Sequence, residues 1–154
     1  MIYSTTCAYG IHAVCRLTIL APEGFARVGQ ICEGSDLSAY FVSKILGDLV
    51  RAGLLKSSKG RNGGFGLARP PEKIRLMDIV EVIDGPQAYR QCVVGLARCD
   101  DRQPCPQHDS FKPIRQRIVS YLSETTVRQM ADALVRKTEL IGRPAIRPLS
   151  VRNA

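Results

Sequence analysis

The segment that most constrains the fold runs from Ser38 to Arg69. Its first part, SAYFVSKILGDLVR, sets Val42, Ile45, Leu46, Leu49 and Val50 at i, i+3, i+4, i+7 and i+8, the stripe of a helix facing a core. Ser38 stands where an N-cap hydroxyl belongs, and Gly53 stands where such a helix stops. The period then changes from helical to strand-like. LLKSS and FGLAR read as short strands on either side of KGRNGG. Asn62-Gly63 predicts a primed hairpin turn, in which both central residues need positive φ. A helix pair joined by EGSDLS and followed by a glycine-tipped hairpin predicts a mainly α fold with a small β-hairpin, a winged helix-turn-helix.

The remaining segments frame that unit. A helix is expected over 6–21, with Ser4, Thr5 and Thr6 as caps and Tyr9, Ala13, Leu17 and Leu20 near one face. A short turn at 28–33 is closed by Gly34, and a helix at 76–84 is broken by Gly85-Pro86. These pieces give a domain over 1–85, followed by a Cys-rich loop over 86–110. One long helix is expected over 111–140, with Pro113 in its first turn. Its apolar residues Ile114, Ile118, Tyr121 or Leu122, Thr125, Leu134 and Ile141 recur close to a heptad seam, which suits dimerisation. The Pro- and Arg-rich stretch 141–154 is expected to be disordered.

Charge narrows the partner. The chain carries a net charge of +8 and a pI near 9.5, which favours a polyanion. No acidic residue lies between Asp48 and Glu72, whereas Arg51, Lys56, Lys59, Arg61 and Arg69 do. Such a segment beside an exposed helix face is suited to neutralising phosphates of double-stranded DNA. Ser38, Ala39, Tyr40, Ser43 and Lys44, with Gly47, form the outward face expected in a major groove. Lys59, Arg61 and Asn62 at the hairpin tip suit the minor groove. The competing reading is a solvated helix face in a protein-contact module. No run approaches the roughly 18 apolar residues of a membrane span, and no targeting signal is legible, so a cytoplasmic location is expected. Enzymatic chemistry is poorly served. His12 and His108 are the only histidines, and GRNGGFG is a hairpin tip, not a phosphate loop between strand and helix.

In a reducing compartment, six cysteines read as metal ligands or redox sensors before disulfides. Cys92, Cys99, Cys105 and His108 fall together in QCVVGLARCDDRQPCPQHD. Three thiols and an imidazole make a proper zinc set, although the intervals are wider than those of most structural zinc knuckles. Bare thiol sensing is the other open reading. Cys15 and Cys32 fall in helical, apolar settings and read as packing residues.

The order of these parts resembles the Rrf-two family of bacterial regulators, the IscR/NsrR/RirA group. The N-terminal "YG" helix, LVRAGLLKSSKGRNGGFGLARPPEKI and the Cys-rich loop before a long helix carry the resemblance, over about residues 1–140. It implies a homodimer on a palindromic operator and an iron–sulfur cluster, 2Fe–2S or 4Fe–4S, on Cys92, Cys99 and Cys105. His108 is the first candidate for the fourth ligand. Cys7, reaching across the dimer, is the second, and water or a small molecule the third. Ala8 stands where some members place an acidic ligand. Arg90, Arg98 and Arg102 are expected to favour thiolates, and Val93, Val94, Leu96 and Ala97 to shield the group. The function implied is transcription regulation by a DNA-binding protein whose promoter affinity follows the state of the cluster. A metal-free thiol regulator or partner-binding module of the CymR type is the alternative.

Overall fold

The computed structural model describes residues 2–35 and 37–141 of the chain. Helix α1 spans Thr5–Leu20 and opens where the Ser4 hydroxyl accepts the Cys7 N–H at 3.0 Å. Helix α2, Val28–Cys32, opens where Gln30 Oε1 accepts the Arg27 N–H at 2.9 Å. Helix α3 spans Ala39–Arg51 and buries Val42, Ile45, Leu46 and Leu49, the expected stripe. Ser38 holds the N-cap position, but its hydroxyl makes no capping bond. At the far end Gly53, with φ of 73°, closes the helix. Its N–H donates to Val50 O and that of Leu54 to Leu49 O, both at 3.0 Å, the paired bonds of a Schellman ending.

Strands β1 (Leu55–Ser58) and β2 (Gly64–Leu67) pair antiparallel, Leu55 opposite Leu67 and Ser58 opposite Gly64. The tip differs from the expected Asn62-Gly63 turn. Positive φ falls at Gly60 and Gly64, no described non-glycine residue has it, and the Gly63 N–H donates to Gly60 O at 3.0 Å. The five residues 59–63 therefore make the connection, with Arg61 and Asn62 at its apex. Gly64 serves a third segment. Ala26 exchanges both backbone bonds with Phe65 at 2.9 Å, and a Cβ on Gly64 would lie 2.3 Å from Ala26 O. Ala26 thus extends the hairpin toward the helix pair and fixes the wing against α2.

A 3-10 turn at Pro71–Lys73 leads to helix α4, Leu76–Ile83. The single helix expected over 111–140 is two helices. Helix α5 is His108–Glu124 and α6 is Val127–Ile141. The break at Thr125–Thr126 is held open by other partners. Thr125 O accepts from Leu76 N–H at 3.0 Å, and Val127 N–H donates to Ile74 O at 2.9 Å. Burial of Leu122, Val127 and Ala131, each at 1% exposure or less, outweighs helical continuity. Because α5 starts at His108, Pro113 lies in its second turn, not its first. Helix α6 folds back along α1, and Arg128 bonds Glu72 at 2.9 Å. One core joins α1, α3, α4 and the inner faces of α5 and α6. Among the described residues no helix is long and apolar enough to cross a membrane. The expectation for 141–154 falls on residues that, apart from the last helical position, lie outside those described.

Candidate nucleic-acid interface and cysteine loop

Two groups of side chains stand out from the core. The first is the outward edge of α3 with the wing. Ser38, Ala39, Tyr40 and Lys44 are exposed and Ser43 is half-buried. The Lys44 ammonium lies 5.9 Å from the centre of the Tyr40 ring, so the two present one cationic-aromatic surface. Lys59, Arg61 and Asn62 are exposed at the hairpin apex. The Arg27 guanidinium donates to the backbone carbonyl of Arg61, a tie between α2 and the wing that leaves the Arg61 side chain out of the contact. Nothing in the sequence marks Arg27 for this role, because the contact joins residues 34 apart and uses a backbone acceptor.

The second group is the loop between α4 and α5. Cys92, Cys105 and His108 are 7%, 8% and 6% exposed, and Cys99 is half-buried. Cys99 Sγ lies 3.4 Å from His108 Nδ1, and the free Cys92 and Cys105 thiols are close enough to influence each other's ionisation. The loop backbone gathers them. Cys99 N–H donates to Arg90 O at 3.1 Å, and His108 N–H to Cys105 O at 2.9 Å. The second bond also starts α5, which carries His108 at its first position. The Val94 N–H, foremost, together with the Cys105 thiol and the Arg115 guanidinium, lowers the Cys92 thiol below its usual range. Burial raises Cys105. On the outer side of His108, Nε2 lies 2.9 Å from Asp101 Oδ1, and Lys112 Nζ bonds both oxygens of that carboxylate at 2.8 Å. The Lys112 hydrogen bond is the main cause of a lowered Asp101.

The packed chain adds the surroundings of these residues. Cys7 is fully buried in the core, and burial, with Asp84 nearby, pushes its thiol up to about 12. Val93, Val94 and Leu96 are themselves 44–52% exposed, although Cys92 and Cys105 beside them are buried. Arg98 is engaged with Asp100 at 3.1 Å, and the cation acting on Cys92 is Arg115 from α5. Asp101, Lys112 and Arg115 were not singled out from the sequence; the Asp100-Asp101 pair inside the cysteine run was the available signal.

The donor types are chemically suited to iron–sulfur, since thiolates and imidazole both serve there. Of the four donors, Cys99 touches His108, and both Cys92 and Cys99 act electrostatically on Cys105. Among the described residues, no three such side chains are arranged around a single metal ion.

A family profile described as "Iron-dependent Transcriptional regulator", named Rrf2, matches residues 3–133. The chain belongs to the Rrf2 family. This is a family of transcription regulators, not of enzymes. CymR of Bacillus subtilis is 28% identical over 128 residues, which cover 83% of this chain and 88% of that one. Among solved structures, that of the same organism's CymR, the global cysteine regulator, has a TM-score of 0.72 at 25% identity, covering 84% of this chain and 95% of that one. The structure of T. potens IscR has a TM-score of 0.65 at 26% identity, covering 84% and 85%. As an Rrf2 regulator the chain is a DNA-binding winged helix-turn-helix protein.

Proposed function

We propose that this Rrf2 regulator binds a palindromic operator as a homodimer, with an affinity set by an iron–sulfur cluster on Cys92, Cys99, Cys105 and His108. The observation that carries the reading is the placement of three cysteines and a histidine on the one loop that launches α5, with Cys92, Cys105 and His108 buried. When bound, the cluster supplies a redox- and supply-sensitive centre. The chain's residues do the rest. Three thiols and an imidazole suit either a 2Fe–2S or a 4Fe–4S group. The loop runs directly into α5, whose Ile114 and Tyr121 lie seven residues apart and are 52% and 46% exposed. That face is suited to the same face of a second copy, as an isologous dimer requires. Fixing or releasing the loop shifts α5, and through Leu122 and Leu76 the winged domain that α5 packs on. The spacing of the two α3 helices follows. Ser38, Ala39, Tyr40, Ser43 and Lys44 address the major groove, and Lys59, Arg61 and Asn62 the backbone and minor groove. A coupling of roughly 1–3 kcal/mol is enough for such a switch.

Anaerobic purification with iron and sulfide quantitation tests the reading. A coloured protein with both elements is expected, and a colourless, iron-free one counts against it. The likeness to CymR and the lowered Cys92 thiol support a second reading, a metal-free thiol regulator. The triple variant Cys92→Ala, Cys99→Ala, Cys105→Ala separates cysteine-loop switching from a module that needs none of it. The variant is expected to lose its response; if it still switches DNA affinity, both loop-based readings fail.

A further inference from the structure

The contacts around His108 go further than its place among the donors. Its Nε2 faces a carboxylate oxygen, Asp101 Oδ1, at 2.9 Å, and its Nδ1 faces Cys99 Sγ at 3.4 Å. A carboxylate accepts and does not donate, so the ring nitrogen it meets must carry the proton. The neutral imidazole then has its lone pair on Nδ1, on the side of the thiols. Lys112 Nζ holds both Asp101 oxygens at 2.8 Å from the next turn of α5, so an otherwise exposed carboxylate is fixed in place. The ring is buried at 6% exposure, so these two partners are its main polar contacts.

We propose that Asp101, held by Lys112, is the positioning residue that selects the Nε2–H tautomer of His108 and presents Nδ1 as the fourth ligand of the cluster. This rests on the cluster reading above and adds to it a residue outside the ligand set. A carboxylate behind a ligating imidazole fixes its orientation and raises its donor strength, and loss of such a partner typically weakens metal binding ~10–100-fold.

The tautomer is read first, in cluster-free, full-length protein labelled with 15N-histidine. Two-bond proton–nitrogen correlations distinguish a protonated Nε2 from a protonated Nδ1, and His12→Gln tells the two histidines apart. His108 is expected as Nε2–H in the parent protein, still so in Asp101→Asn, whose amide oxygen accepts the same proton, and mixed in Asp101→Ala. After anaerobic reconstitution, Asp101→Ala is expected to retain its cluster ~10–100-fold less well than the parent, Asp101→Asn less affected than Asp101→Ala, and pulsed electron resonance of the reduced sample to show nitrogen coupling from labelled histidine. Asp101 is exposed in a loop, so a circular dichroism spectrum and Tm matching the parent are expected for both variants. A His108 found as Nδ1–H, or an Asp101→Ala variant with the parent's tautomer and the parent's retention, overturns the proposal. A parent protein that takes up no cluster overturns the functional reading and the ligand role, while the tautomer measured on that same sample still decides whether Asp101 orients His108.

Discussion

Tyr40 leaves 76% of its surface in solvent at the first turn of α3, with Lys44 beside its ring. On the proposed reading this exposed ring and its neighbouring cation meet the DNA. Arg61 carries the corresponding claim for the wing. Arg61→Ala should weaken DNA binding and lower the slope of log affinity against log salt by ~0.9 for each phosphate it ceases to neutralise. It should leave the fold intact, because Arg27 holds the backbone of Arg61 and not its side chain. Fluorescence anisotropy across a salt series checks both. His12 makes a prediction about pH. It is half-buried on α1, and desolvation lowers its pKa from the ordinary 6.5. The folded value lies below the unfolded one, so the unfolded chain binds the proton first as pH falls. The stability this neutral histidine contributes is complete above about pH 6.5 and is lost below it. Urea midpoints between pH 7.5 and 5 should therefore fall more steeply for the parent than for His12→Gln. Equal slopes would show that His12 does not titrate differently on folding.

The wing shows at the level of elements what a sequence pattern does and does not reveal. Two strands and a glycine-rich tip were legible in LLKSS, KGRNGG and FGLAR, because alternation and turn residues are local signals. The use of the glycines was not. Gly64 combines a φ of 147° with an Ala26 carbonyl in the space a side chain would fill. Gly64→Ala should destabilise the protein by ~1–3 kcal/mol and weaken DNA binding with it, as read by urea unfolding and anisotropy on one sample. An unchanged midpoint would mean the Ala26–Phe65 bridge does not hold the wing. The same distinction explains α5 and α6. Apolar spacing predicted helix through 111–140 and was right about the state of nearly every residue. The break at Thr125–Thr126 depends on Leu76 and Ile74 taking over backbone bonds, partners about fifty residues away. In the cysteine loop the types and spacing of Cys92, Cys99, Cys105 and His108 named the candidate donors. The burial of Cys7 and the Asp101–Lys112 pair behind His108 required the packed chain.

At the scale of the whole molecule, the winged domain, the cysteine loop and the exposed face of α5 follow one another along the chain, and the proposed dimer uses the last of them. That face makes its own prediction. Ile114→Asp with Tyr121→Asp should give a monomer in analytical ultracentrifugation with its fold retained, since both side chains are exposed in the single chain. Leu122→Ala is the contrast. It should cost ~2–5 kcal/mol of stability, because Leu122 lies fully in the core. A dimer that survives the double substitution would place the interface elsewhere. The central claim is that the inorganic group and the DNA site are energetically linked. The most direct test is the dissociation constant for an operator fragment, selected from random duplexes by the protein itself, measured under nitrogen before and after chelation of the iron. The account predicts a difference of about 5–150-fold between the two forms. Identical constants for a verified cluster-loaded protein and its stripped counterpart would contradict it.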